Sequence, residues 1–173
     1  MPLYEVEHSI PLDKPQRDAL AQAITHIHTR QFTTPSLFVN IKFVDTRTQH
    51  NYVAGRERSI NRIIAYVRTG GSRTHADFEE TSLRIAQAWD QIVNAGGKFG
   101  KERELSRVFV MGAIVAGLEY GVLLPKASLS FFAGEDGKWL AQNTERFQEL
   151  AEQGDEDFRE LVEEIKGRED LRR

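Results

Sequence analysis

The order of strand and helix patterns along the chain constrains its fold more than any single motif. Twice, over residues 2–44 and again over 60–111, a strand pattern is followed by a helix pattern and then by a second strand pattern. A connection of this kind is right-handed and makes its two strands parallel. Two tandem units therefore predict an α+β, two-layer fold in which a four-stranded mixed sheet carries both helices on one face.

Local signals place the ends of several elements. Asp13, with Pro15 in the first turn and Gln16 three residues on, has the capping-box pattern of a helix start. The apolar stripe that follows predicts that this helix runs to about Arg30. The apolar run over 37–44 predicts a buried strand. The helix-free face of the sheet is expected to be apolar and uncovered, so we predict that the chain forms oligomers.

The last part of the chain differs from the rest in composition. Residues 1–135 are predicted to form one domain of two β-α-β units, and 136–173 a strongly charged helical extension. Apolar side chains that could dock this extension on another surface are Trp139, Leu140, Phe147, Leu150, Phe158 and Leu161. Residues 162–173 are nearly all charged, so we expect them to fray.

Composition argues against several functional classes. Lys and Arg number 23 against 26 Asp and Glu, a net charge of −3, so no basic field favours nucleic acid. No apolar run approaches the ~20 residues of a membrane span, and the N-terminus lacks the pattern of a signal peptide. The chain has no cysteine, which excludes disulfides and thiolate metal sites and fits a reducing cytosol. We expect a cytoplasmic protein with no membrane partner.

Pro2 stands at the start of a strand that alternates apolar and polar residues, Leu3-Tyr4-Glu5-Val6-Glu7. If Met1 is removed, the nitrogen of Pro2 becomes a rigidly held secondary amine. An α-amino group titrates near ~7.7–8.0, so it can act as a base or an acid around neutral pH. The alternative is that Pro2 is an ordinary second residue.

Four further side chains are candidates for a site. Arg68 and Arg73 border a turn with two glycines, where their planar guanidinium groups could grip a carboxylate and lower the pKa of a nearby amine. Glu119, with Leu118, Val122 and Leu123 around it, could be an acid in an apolar setting. His28 ends the first helix. Each also has a simple alternative: solvated loop arginines, a surface acid, and a histidine that complements the helix dipole.

Three stretches taken together resemble the tautomerase superfamily, and most closely its cis-3-chloroacrylic acid dehalogenase branch. They are Met1-Pro2-Leu3-Tyr4, the end of the first helix over Ala23-Ile24-Thr25-His26-Ile27-His28, and Glu119-Tyr120-Gly121 with Leu124-Pro125. The resemblance spans about residues 2–140. It implies a cofactor-free homotrimer that acts on a small unsaturated or 2-keto/enol carboxylic acid.

The resemblance also implies roles for individual residues. Pro2 would be the acid or base and Glu119 would activate water, while His28, Arg68 and Arg73 would hold the substrate carboxylate; no metal is implied. The two arginines lie five residues apart rather than three. The position of a water-assisting tyrosine falls on Val108 or Phe109, neither of which can transfer a proton.

These two departures favour tautomerisation over hydration or dehalogenation, which we expect to be weak. They also leave open a second class of function. In that class the chain is a catalytically weak or inactive binding member of the same fold, which uses its trimer surface or its tail to contact a partner.

Overall fold

The computed structural model describes residues 1–95, 97, 99–125 and 135–172. The strands in chain order are β1 (Leu3–His8), β2 (Asn40–Asp45), β3 (Tyr52–Val53), β4 (Arg56–Glu57), β5 (Asn61–Tyr66), β6 (Leu105–Met111), β7 (Leu118–Glu119) and β8 (Val122–Leu123). The α-helices are α1 (Lys14–Phe32), α2 (His75–Val93), α3 (Glu135–Glu152) and α4 (Glu156–Gly167).

Four of the strands form the central sheet, in the order β2-β1-β5-β6. The pairs β1–β2 and β5–β6 are parallel, and β1 and β5 are antiparallel. The first strand is therefore central, with Leu3 opposite Asn40 on one side and Tyr66 on the other. The predicted mixed sheet built from two β-α-β units is confirmed.

Alternation along the central strands decides which face of the sheet is buried. Tyr4 and Val6 are fully buried and lie opposite Ala65 and Ile63 of β5. Both long helices pack on this face. Their buried apolar side chains in this core are Leu20, Ile24 and Ile27 of α1 and Ile85, Ala88, Trp89 and Val93 of α2.

The first helix begins at the predicted capping box. The Asp13 carboxylate accepts from the main-chain N–H of Gln16 at 2.8 Å, and the Gln16 side chain accepts from the N–H of Asp13 at 3.1 Å. The helix ends at Phe32, two residues beyond the predicted Arg30. The extra residues are held because the buried Phe32 ring packs 5.2 Å from the ring of Phe78 on α2.

The predicted buried strand over 37–44 is wrong at its start and in its burial. Ser36–Phe38 forms a short 3-10 turn, and β2 begins at Asn40. No residue of β2 is fully buried, because β2 lies at the edge of the sheet. The buried Phe38 belongs to a different core.

The helix-free face of the sheet is mixed rather than uniformly apolar. Two ion pairs between neighbouring strands cross it, Glu5–Lys42 and Glu7–Arg62. Exposed apolar side chains are confined to its β6 edge, where they are Phe109 and Met111. The sequence did not predict these ion pairs. Alternation shows which residues of a strand face away from the helices, but it does not show which residues of neighbouring strands lie opposite each other.

Helices α3 and α4 build a second core against the N-terminus. Its buried members are Met1, Phe38, Val122, Leu140, Phe147, Phe158, Leu161, Val162 and Leu171. The expectation that residues 162–173 fray is wrong, since α4 continues to Gly167 and a 3-10 turn follows over Glu169–Arg172. Arg168 fixes this end by donating to the main-chain oxygens of Thr34 and Thr29, at 3.0 Å each. The division at residue 135 stays a prediction.

The second core should contribute to global stability. Phe147 is fully buried and packs on Phe38 and Phe158, so Phe147→Ala should lower the free energy of unfolding by about 3–5 kcal/mol in urea titrations. Leu83→Ala on α2, where the leucine is 66% exposed, is the control and should change it by less than about 0.5 kcal/mol. Equal effects of the two substitutions would show that the extension does not stabilise the domain.

Candidate active site

A cavity of about 300 Å³ lies where the end of α1, the turn after β5 and the beginning of α3 meet. Its walls include Met1, Phe32, Pro35, Arg68, Arg73, Pro125, Asp136, Trp139 and Leu171. Ligand pockets of this size suit small molecules. Because α3 and the C-terminal turn form part of the wall, the extension belongs to the surroundings of this cavity.

The turn after β5 brings the two predicted arginines together. Gly70 and Gly71 have φ values of 101° and 66°, in the left-handed region that glycine enters without strain. This reversal lets Arg68 and Arg73 converge on one carboxylate, that of Asp136. The Arg68 Nη1 donates to Oδ1 at 2.9 Å, and the Arg73 Nη2 donates to Oδ2.

Both arginine side chains are almost fully withdrawn from water. Burial lowers the pKa of Arg73 from its usual value, while the neighbouring Asp136 carboxylate acts in the opposite direction. Burial by itself would raise the pKa of Asp136, but Arg73 and Arg68 outweigh burial and hold this pKa below its ordinary value. Asp136 is therefore ionised at neutral pH and compensates the buried guanidinium charges.

The chain terminus lies beside this charged group. Burial, together with the charges of Arg68 and Arg73, lowers the pKa of the Met1 amine from 8.0 to about 6, against the opposing charges of Glu119 and Asp136. The amine is consequently mostly neutral at pH 7. A neutral amine in this position can accept a proton.

Asn40 links the start of β1 to the predicted catalytic glutamate. Its main-chain N–H donates to the carbonyl oxygen of Pro2 at 3.1 Å. Its side-chain amide donates to Oε1 of Glu119 at 3.3 Å. The first residue of β2 therefore contacts both Pro2 and Glu119.

Glu119 lies on the hairpin of β7 and β8, and its side chain faces inward with Val122. Leu118 and Leu123 are 64% and 73% exposed, so the expected apolar setting from these two leucines is wrong. They lie on the outer face because side chains alternate along both strands. Burial still raises the pKa of Glu119, against the effects of the terminal amine and Asn40. Its Oε2 is buried without a hydrogen-bond partner among the described residues.

His28 is buried and lies 4.7 Å from the ring of Phe32. The Tyr4 hydroxyl is 2.8 Å from its Nδ1. Because Tyr4 is fully buried and has no other acceptor among the described residues, it donates to Nδ1, which places the imidazole hydrogen on Nε2. Burial, the terminal amine and Arg73 lower the pKa of His28 to about 3. A neutral imidazole cannot complement the helix dipole as a cation.

The structure thus places the predicted residues in two groups. Arg68 and Arg73 line the cavity, together with Met1. His28 and Glu119 do not line it, but both interact electrostatically with the amine of Met1. Pro2 follows Met1 in the chain and is not among the residues that line the cavity.

Sequence reasoning missed three contributors, namely Asp136, Asn40 and Tyr4. Asn40 and Tyr4 pair with residues distant in sequence, and no spacing rule identifies such pairs. Asp136 could be identified in the sequence only as the acidic first residue of the predicted extension, with no indication of its partners.

Comparisons with known proteins agree with this architecture. The family profile described as "Putative oxalocrotonate tautomerase enzyme" matches residues 1–144. No curated protein matches the sequence. Among the described residues, no group of three His, Cys, Asp or Glu side chains could hold a metal ion, and no helix has the length and apolarity to cross a membrane.

Several solved structures share the fold. N1, a member of the cis-3-chloroacrylic acid dehalogenase family, is 23% identical with a TM-score of 0.65, covering 87% of this chain and 99% of its own. The fused 4-OT Q0 symmetric trimer is 16% identical with a TM-score of 0.56, covering 70% and 94%. Leishmania major MIF2 is 21% identical with a TM-score of 0.54, covering 72% and 97%.

The buried neutral histidine predicts acid sensitivity. Between pH 7 and pH 5 the unfolded chain protonates His28, near a pKa of 6.5, whereas the folded chain does so only near 3. The free energy of unfolding should therefore fall with decreasing pH, by about 2 kcal/mol at pH 5 from this residue alone. Urea titrations at both pH values should show this loss.

The control is His28→Asn, whose side-chain oxygen can still accept from Tyr4 but which does not titrate. The loss of stability between pH 7 and pH 5 should be smaller in this variant by the same amount. An identical pH dependence in the two proteins would contradict a neutral buried His28.

Proposed function

The chain belongs to the oxalocrotonate tautomerase family, and from this membership and the geometry of the cavity we propose that it interconverts the enol and keto forms of a small unsaturated or 2-keto carboxylic acid. One observation carries the proposal: an N-terminal amine with a pKa near 6 lies beside two buried arginines that converge on a single carboxylate. An amine that accepts a proton near neutral pH and a clamp for an acid are what this reaction needs.

Arg68 and Arg73 are proposed to bind the substrate carboxylate, each donating to one oxygen, as both now do to Asp136. His28 is proposed to donate a hydrogen bond from Nε2 to the substrate carboxylate, since its Nδ1 accepts from Tyr4. A neutral imidazole donor and two fixed cations can stabilise the negative charge of the bound substrate and do not themselves give up a proton.

Pro2 is proposed to be the acid–base group after removal of Met1. Met1 lines the cavity, so its loss would extend the cavity to the nitrogen of Pro2. Burial and the charges of Arg68 and Arg73, which keep the Met1 amine mostly neutral, support the same state for Pro2. The nitrogen of Pro2 first removes the proton of the enol hydroxyl, and the enol oxygen becomes a carbonyl oxygen. The electron pair of the carbon–carbon double bond then takes the proton from the Pro2 ammonium, which forms a C–H bond and restores the neutral amine.

Glu119 is proposed to hold a water molecule, which supports a weak hydratase or dehalogenase activity. Its raised pKa and its unpartnered Oε2 suit this role. Val108 packs in the sheet core and Phe109 lies on the helix-free face, so neither supplies a second polar group for that water. Tautomerisation, which requires no water, should therefore be faster.

A homotrimer is proposed as the assembled state. The similar fused 4-OT Q0 structure is described as a symmetric trimer. In this chain, exposed Phe109 and Met111 on the β6 edge provide apolar area for a contact between copies. The lack of cysteine supports a cytosolic location, and the net charge of −3 gives no reason to add a nucleic-acid partner.

Binding of an acid without turnover is the second candidate function. It is favoured by the burial of Met1, a residue that is 7% exposed and belongs to the second core. If Met1 is retained, the nitrogen of Pro2 is an amide and cannot take a proton. The mass of the intact purified protein distinguishes the two cases, because removal leaves it lighter by one methionine residue.

The role of the amine can be tested by inserting a glycine between Met1 and Pro2. The inserted residue converts the Pro2 nitrogen to an amide, so ketonisation of phenylenolpyruvate should fall by about 10²–10⁴-fold. Pro2→Ala should also lose activity because the rigid secondary amine is gone. Insertion of a glycine between Gly154 and Asp155, in the loop between α3 and α4, is the matched control and should leave the rate unchanged. Full activity of the N-terminal insertion would refute acid–base catalysis by Pro2.

The trimer is tested by light scattering at micromolar concentration, where a mass three times that of the chain is expected. Replacing Phe109 and Met111 together by Lys should shift the protein toward monomer, because charges would be buried in the contact. A monomeric wild-type protein would exclude the trimer.

A further inference from the structure

Asp136 occupies the place that the proposed function gives to the substrate. Its two carboxylate oxygens are divided between two arginines, Oδ1 to Arg68 and Oδ2 to Arg73. A small acid bound by this clamp would use the same donors. Asp136 and a substrate carboxylate therefore cannot make these contacts at the same time.

The charge of the clamp is the same with either occupant. Asp136 is the carboxylate that both guanidinium groups contact, and their charges hold its pKa below its ordinary value. A ligand carboxylate that replaces it on the same donors leaves the charge balance of the clamp unchanged, so the two buried guanidinium groups keep a carboxylate partner in both states.

The beginning of α3 allows such a replacement while the helix stays in place. Trp139 donates from its indole N–H to the main-chain oxygen of Leu123 at 2.7 Å, and Leu140 is buried in the second core. Asp136 lies one turn before these anchors and is followed by Gly137, a residue of low helix propensity. The first turn can therefore move its carboxylate without disturbing the packing of Leu140.

We propose that Asp136 is an internal ligand of the Arg68–Arg73 clamp, which small carboxylic acids must displace in order to bind. Asp136 thereby sets the affinity of the site: it keeps the two buried arginines compensated when no acid is present and excludes acids that bind the clamp too weakly to replace it. This inference rests on the proposed function for the identity of the clamp, but it can be tested by binding alone.

The test is calorimetric titration with benzoate, an unreactive monocarboxylate, at pH 7. Asp136→Asn removes the competing charge and should bind benzoate at least about tenfold more tightly than the wild type. Asp136→Glu keeps a carboxylate and should remain close to the wild type. Asp18→Asn, which removes an exposed negative charge from α1 outside the cavity, is the matched control and should change the affinity less than threefold.

Thermal unfolding gives a second readout on the same proteins. Without benzoate, Asp136→Asn should unfold at a lower temperature, because it removes the carboxylate that both buried guanidinium groups contact. Saturating benzoate should raise the unfolding temperature of Asp136→Asn more than that of the wild type. In the Arg73→Ala, Asp136→Asn double variant this gain should disappear.

Wild-type protein provides a measurement that does not depend on any variant folding. Saturating benzoate should shift the amide resonance of Gly137, because the neighbouring carboxylate leaves the clamp, while the amide of Phe158 in α4 stays unchanged. Absence of any change at Gly137 would overturn the proposal.

The remaining outcomes are equally decisive. Unchanged benzoate affinity in Asp136→Asn would overturn the internal ligand, and weaker affinity would show that Asp136 instead positions the arginines for the acid. If Asp136→Asn binds benzoate more tightly but none of the proteins ketonises phenylenolpyruvate, the result would support Asp136 as the internal ligand and refute the proposed tautomerase activity.

Discussion

The burial of two guanidinium groups beside one another is the constraint on which the rest of the site depends. Arg68 and Arg73 are almost completely shielded from water, and a pair of like charges in such a place is stable only with an anion between them. Asp136 supplies that anion from the beginning of α3. The placement of the extension follows from this requirement as well as from its apolar face, because α3 must begin where its second residue can reach both arginines.

The central position of β1 has a comparable effect on the amine. A strand paired on both sides fixes its first residues tightly, and the carbonyl of Pro2 is held by the edge strand through Asn40. The terminus is thus held close to the arginines. Burial and the neighbouring cations then lower the pKa of the amine. The fold converts an ordinary α-amino group into one that exchanges protons near neutral pH.

The sequence predicted the parts of the fold that depend on periodicity and caps. The capping box at Asp13 follows from a local pattern, and the parallel pairing within each unit follows from the order of its elements. It could not predict that the polar tail would order, because Arg168 is held there by the carbonyl oxygens of Thr29 and Thr34, which are far away in sequence. For the same reason the candidate arginines could be identified, but their partner Asp136 could not.

The spacing of the arginines shows why a motif must be interpreted through its geometry. Arg68 and Arg73 lie five positions apart, and in a regular helix or strand residues at this spacing point in different directions. Left-handed conformations at Gly70 and Gly71 reverse the chain, so the two guanidinium groups meet at Asp136. The glycine turn therefore makes up for the five-residue spacing. What the proposed clamp requires is the convergence of two cations on one acid, and the backbone turn supplies that convergence where the spacing alone would not.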